Sequence, residues 1–176
     1  GVVQIDKFSS PLVEERYQGQ LAHALSEVED AVVIYGYGSE VDSLLAELDS
    51  RGLQTIIIEE DESIAQRLHT HGRRVVHAAL TGQDLDLRPL AQARALVANG
   101  EDEYNALLAL SAREQGFRGP IVALTDNPNR HASMQLAGVT AAFTPTHVLA
   151  AAIAVRASAK IGPRVTGVEP LRHLLE

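Results

Sequence analysis

Cysteine is absent from all 176 residues. Disulfides, thiolate nucleophiles, Cys-based zinc sites and cysteine-ligated clusters are therefore excluded within this chain, and a reducing setting fits it. Cations are also in short supply. Fifteen Lys and Arg against 23 Asp and Glu leave a formal charge of −8, the wrong sign for a surface that must neutralise phosphates along a nucleic acid or an anionic membrane. The longest uncharged apolar run, Val148 to Val155, falls far short of the roughly 20 residues of a membrane helix, so the chain reads as soluble. No P-loop lysine motif and no Gly-x-Ser-x-Gly elbow is present. The chain opens on Gly1 with Met134 as its one methionine, which reads as a processed chain or a piece of a longer one.

What is present is an apolar rhythm. Val2 to Ile5 is compatible with a short strand, and Ser10-Pro11 supplies a cap and first-turn proline. Val13, Tyr17, Leu21, Leu25 and Val28 then recur at helical spacing, so residues 1–30 read as a connector with an amphipathic helix. Its stripe lies either on the domain that follows or on a neighbouring subunit. From Ala31 a unit repeats: an apolar run, a helical stretch, and a glycine. The runs 31–35, 55–58, 74–77, 95–98, 121–124 and 141–143 predict six strands. Gly52, Gly72, Gly116 and Gly138 are expected to end the intervening helices in left-handed conformation, while 82–92 reads as short and irregular. Because the runs are continuously apolar, the strands are expected to be buried on both faces of a parallel sheet, the doubly wound α/β class. A core of 31–143 is followed by Thr144-Pro145 and an alanine-rich helix over 146–160, with 161–176 opening a further element.

The first strand runs into Tyr35-Gly36-Tyr37-Gly38-Ser39-Glu40-Val41 and a helix, two-thirds of a dinucleotide fingerprint in its strand-to-helix context. Gly36 suits the tight turn, and Gly38 lets a phosphate approach the backbone at a helix N-terminus. Glu59, 21 residues beyond Gly38 at the end of the second strand, is placed to accept both ribose hydroxyls and to repel a 2′-phosphate; Glu60 stands beside it. The third glycine is replaced by Val41, whose branched side chain is expected to push the helix outward and alter the turn. Two readings stand: NAD or an adenine nucleotide binds here, or the turn is purely architectural.

Asp102 is placed to cap the helix of Ala106, Leu107 and Leu110, and Asn105 reads as part of the same start with a view into the nucleotide crevice. Leu107, Leu108 and Leu110 read as core or dimer face. His69, His71 and His77 invite a metal reading, but residues two apart do not share a helical face, and solvated or capping roles are expected. Glu59 to Glu62 is an acidic run, read as a solvated loop or, less readily, as cation ligands. A small NAD-dependent oxidoreductase fragment is the alternative on the glycine turn, yet the segment after Lys160 is too short for a substrate domain and no acid–base pair stands out.

Gly36-Tyr37-Gly38, Glu59 after an Ile run, Asp102-Glu103-Tyr104-Asn105, Ile121-Val122-Ala123, Asp126-Asn127-Pro128 and Gly138, in this order and spacing, resemble the RCK domain, also described as the TrkA N-terminal domain. The resemblance covers about residues 31–160. It implies a six-stranded Rossmann domain whose helix 146–160 is the crossover helix packing on a partner subunit. It also implies a cytosolic regulatory domain, with no chemistry of its own, that gates a potassium channel or transporter. Assembly is expected as a homodimer or higher ring, with NAD or an adenine nucleotide at Gly36, Tyr37, Gly38, Ser39, Glu59, Glu60 and Asn105. Residues 1–30 would connect it to a pore helix or a preceding RCK domain. The chain departs from the family at Val41, at Ser39, where a basic residue is common, and at Ala78-Ala79, where the family has Gly-Asp or Gly-Asn. These losses also fit a degenerate domain kept for assembly.

Overall fold

The structure is a computed structural model that describes residues 19–79 and 86–144. Six strands, β1 (Val32–Tyr35), β2 (Thr55–Glu59), β3 (Val75–His77), β4 (Ala95–Ala98), β5 (Ile121–Leu124) and β6 (Ala141–Phe143), form one sheet in the order β3-β2-β1-β4-β5-β6. Every pairing is parallel. This is the doubly wound Rossmann arrangement, with its switch point between β1 and β4. The six apolar runs become these six strands with boundaries shifted by one residue at most.

Alternation sends the side chains of each strand to opposite layers. Val32 and Ile34 of β1 join one core with Val41, Leu44, Leu45 and Leu48 of α2 (Ser39–Ser50) and Leu68 of α3 (Glu62–Thr70). Val33 and Tyr35 join the other, with Leu108, Ala109 and Ala112 of α4 (Asp102–Glu114) and Met134 of α5 (His131–Leu136). The helix over 19–27, α1, also lies on this second face: Leu21, Ala24 and Leu25 are buried in the same cluster as Ile56, Ile58 and Val76. The described part of the stripe, Leu21, Leu25 and Val28, thus packs on its own domain, while Val13 and Tyr17 lie outside the described residues. Between β3 and β4 the described chain holds a 3-10 turn, Arg88–Gln92, whose Leu90 is buried. Helix 146–160 and the strand suggested for 2–5 lie outside the described residues.

Helices α2 to α5 all stop in the same way. Gly52, Gly72, Gly116 and Gly138 each take a positive φ, between 70° and 104°. The residue after each glycine donates its amide back five residues: Leu53 to Leu48, Arg73 to Leu68, Phe117 to Ala112 and Val139 to Met134, at 2.9–3.1 Å. This is the Schellman closure, and it turns each helix into the strand that follows.

Two polar ties hold the margins. The Arg113 guanidinium, at the end of α4, donates to the carbonyls of Gly138, Phe117 and Gly119 at 2.7–3.0 Å, joining the turns that enter β5 and β6. Tyr35, buried at the end of β1, donates its hydroxyl to the Glu60 carboxylate at 3.0 Å. Burial, and then that hydrogen bond, raise the Tyr35 pKa well above its ordinary value of 10.

Arg113→Met, which keeps the stem and removes the donors, is expected to cost about 2–4 kcal/mol. Thermal unfolding should show this as a midpoint lowered by roughly 5–10 °C, with Arg118→Met close to the parent. An unchanged Arg113→Met midpoint would show the clamp to be dispensable. For Tyr35 the sign follows from linkage: the unfolded chain loses this proton near pH 10 and the folded chain retains it, so stability falls as pH rises through 10. Urea midpoints measured across that range are expected to decline less steeply in Tyr35→Phe; parallel declines would remove Tyr35 from the alkaline limb.

Candidate functional site

In an open α/β sheet ligands bind outside the strand carboxyl ends at the switch point. Here that place is lined by the β1–α2 turn, the end of β2 and the β4–α4 turn: Tyr35, Gly36, Tyr37, Glu59, Glu60, Asn99, Gly100, Glu101 and Tyr104 surround a hollow of about 240 Å³. A second hollow of about 450 Å³ continues past Glu40, Asn99, Asp102, Asp126 and Arg130. The two share Asn99, Gly100 and Glu101 and make one crevice.

Gly36 sets its width. Its φ is +83°, and a Cβ there would stand 2.7 Å from the Asn99 carbonyl oxygen, so both conformation and space demand glycine. The Gly36 amide donates to Ile58 O and the Asn99 amide to Tyr35 O, fastening the ends of β1, β2 and β4 together. Gly38, at the N-cap of α2, has extended backbone. Ser39 is exposed at the first position of the helix. Val41, in the third glycine's place, is fully buried in the α2 core, and its amide closes onto Gly38 O at 2.9 Å.

Glu59 ends β2 with its carboxylate buried beneath the turn. One oxygen accepts from the Tyr37 amide at 2.8 Å and the other from the Asp61 amide at 2.9 Å. Each carboxylate oxygen has a further lone pair, so acceptor capacity remains at the rim of the hollow. The acidic run divides into separate tasks. Glu60 accepts from Tyr35, Asp61 caps α3 by accepting from the Ile64 amide, and Glu62 lies in the first turn of α3. Hydrogen bonds from Ser63 and then Ile64 lower the Asp61 pKa. Among the described residues no three His, Cys, Asp or Glu side chains converge as metal ligands.

Two expectations are corrected. Asp102 does not cap α4: Glu101 occupies the N-cap with no side-chain bond, and Asp102 is already helical. Asn105 is fully buried and lines neither hollow. Its Oδ1 accepts from the Gly100 amide at 2.8 Å, and its Nδ2 donates to the carbonyls of Gly100 and Leu124 at 3.0 and 2.9 Å. It positions the β4–α4 turn against the end of β5. His77 bonds the Glu60 carbonyl oxygen and His71 that of Arg67. At the end of β3, Ala78 is buried and Ala79 is exposed, so neither presents a polar side chain to the crevice.

Residue-by-residue reading missed Glu40 and Asn99. The Glu40 carboxylate lies directly over Gly38, with one oxygen 2.6 Å from where a Cβ would stand and the other closer still. Asn99 Nδ2 donates to Glu40 Oε1 at 2.9 Å and lies 3.3 Å from Gly36 O. An acid in the first turn of a helix is a visible signal of dipole stabilisation. Its lodging on the glycine turn depends on Asn99, 59 residues away, and carries no local signature.

The sequence profile described as the TrkA-N domain matches residues 32–145. Among solved structures, the GsuK channel bound to NAD is 26% identical, covering 74% of this chain and 24% of that one at a TM-score of 0.59. GsuK bound to ADP is 27% identical, covering 75% and 35% at 0.62. The TrkA-N domain of the inner membrane protein ybaL from Escherichia coli is 18% identical, covering 77% and 98% at 0.61, a likeness of fold. The chain thus spans only a quarter to a third of these two GsuK chains. No curated protein matches the sequence. With well over half of its length matched by the profile, and with the sheet order and glycine turn in place, the chain belongs to the RCK/TrkA-N domain family.

Proposed function

We propose that this domain is a regulatory module of a potassium channel or transporter, in which NAD or an adenine nucleotide, held at the Gly36–Gly38 turn, biases a homo-oligomeric assembly and so potassium flux. The observation that carries this reading is Glu59: a buried carboxylate held by two backbone amides at the end of β2, with acceptor capacity facing the crevice. That arrangement suits the two hydroxyls of a ribose and disfavours a 2′-phosphate. The matched GsuK structures are bound to NAD and to ADP, which supports a nucleotide here. The residues fit the nucleoside end of such a ligand. At the phosphate end they fit less well, since Glu40, Glu101, Asp102, Glu103 and Asp126 line it against Arg130.

The mechanism is one of differential binding. A ligand shifts an assembly only by the difference in its affinity for two states, typically worth about 1–3 kcal/mol. This chain contributes Glu59 to hold the ribose and Gly36 to let the β1 and β4 turns approach; α4 links the crevice to the outside. Leu108 of α4 is core, whereas Leu107 and Leu110 are about half exposed, which supports an assembly face on the helix that starts at the crevice. The crossover helix at 146–160 is proposed as a further contact, with the domain on the cytoplasmic side of a membrane protein. No helix among the described residues is long and apolar enough to cross a membrane.

Calorimetric titration tests the site. NAD or ADP is expected to bind, NADP more weakly than NAD, and Glu59→Gln to weaken NAD by about tenfold through loss of charge-assisted hydrogen bonds. Equal affinity in Glu59→Gln removes its ribose role. Light scattering is expected to show a dimer or larger species; a strict monomer at high concentration would count against the assembly.

A further inference from the structure

In the dinucleotide turn the second glycine lacks a side chain so that a phosphate can lie against the backbone at the helix N-terminus. In this chain that space already holds an anion. Both oxygens of the Glu40 carboxylate crowd the point where a Gly38 Cβ would stand, and Asn99, from the opposite wall, donates to one of them at 2.9 Å. Asn99 is itself fixed, its amide bonded to Tyr35 O at 2.7 Å and its carbonyl packed against Gly36. The carboxylate is thus held between α2 and the β4–α4 turn, across the mouth of the phosphate position.

We infer that Glu40 is an internal competitor for phosphate, a side chain that occupies the phosphate position of the crevice and is displaced when a phosphorylated ligand binds. This rests on the nucleotide reading above and deepens it, because it assigns the selectivity of the two ends of the site separately. Glu59 recognises the nucleoside, whereas Glu40 sets a penalty that grows with the negative charge of what is attached to it. Two carboxylate-sized anions cannot share the space over Gly38, and an unneutralised pair at contact distance repels strongly near a low-dielectric wall. Ser39, the neighbour of Glu40 at the start of α2, supplies no cation to offset the acid. Among the described residues the lining has one cation, Arg130, on the Asp126 side of the crevice. The site therefore discriminates by charge at the α2 end: adenosine should bind without moving Glu40, while ADP must first displace it.

The test uses the full 176-residue chain and titrates adenosine, ADP and inorganic pyrophosphate against the parent, Glu40→Gln and Glu40→Ala, with thermal melts confirming that all three are folded. Gln keeps the volume and an acceptor for Asn99 but removes the charge; Ala removes both. ADP is expected to bind about tenfold more tightly to Glu40→Gln and more tightly still to Glu40→Ala, with adenosine unchanged throughout. Equal or weaker ADP affinity in both variants overturns the inference while leaving the nucleotide reading intact. Should neither adenosine nor ADP bind any of the three proteins, the nucleotide reading falls, and pyrophosphate decides the remainder. Stabilisation of Glu40→Ala but not of the parent by pyrophosphate would retain the competition, and no response in either would end it.

Discussion

The contact between Gly36 and the carbonyl of Asn99 is the constraint on which the rest of the crevice depends. Parallel strands β1 and β4 leave the sheet side by side, and their chains must turn in opposite senses to reach helices on opposite faces. A left-handed residue without a Cβ allows them to part while still touching. From that contact follow the amide of Asn99 on Tyr35, the reach of its side chain to Glu40, and the placement of Gly100 where Asn105 can hold it. The crevice is thus a consequence of sheet topology first and of side-chain choice second.

What the sequence made legible followed from local physics. Six short apolar runs rich in Val, Ile, Leu and Ala have one stable use in a chain of this length, strands covered on both faces, and glycines before the next run specify left-handed helix ends. The place of Glu59 at the end of β2 was legible because its distance from the turn is fixed by one helix and one strand. Asp102 was misjudged because Asp favours helix starts, and which residue takes the cap depends on where β4 releases the chain. Asn105 was then claimed by a buried bonding demand from Gly100 and Leu124 that no neighbouring residue announces. The destination of the α1 stripe and the lodging of Glu40 are likewise tertiary facts.

The acids of the crevice show how the same residue type serves different ends a few ångströms apart. Glu59 is a buried acceptor satisfied by backbone amides, Glu60 an acceptor for a phenol, Asp61 a helix cap, and Glu40 a lodger on a glycine. Read as composition, they are a negative patch. Read by partner, they are separate devices, and only Glu59 combines burial with capacity to spare. A family resemblance transfers the position of such a residue more securely than its partners, which is why the departures at Ser39, Val41 and Ala78-Ala79 weigh as much as the matches.

The repeated closure at Gly52, Gly72, Gly116 and Gly138 places four tightly bonded returns at the amino ends of the strands, the pole of the sheet remote from the crevice. The opposite pole carries the loops that depart from strands into helices, and among the described ones the N-caps differ: Asp61 bonds the helix with its side chain, whereas Gly38 and Glu101 do not. One end of the domain is therefore standardised and the other individual. Drift in sequence can rework the ligand-facing loops one at a time without renegotiating how the layers are stacked, so a lineage could lose, alter or regain an effector while its architecture stayed the same.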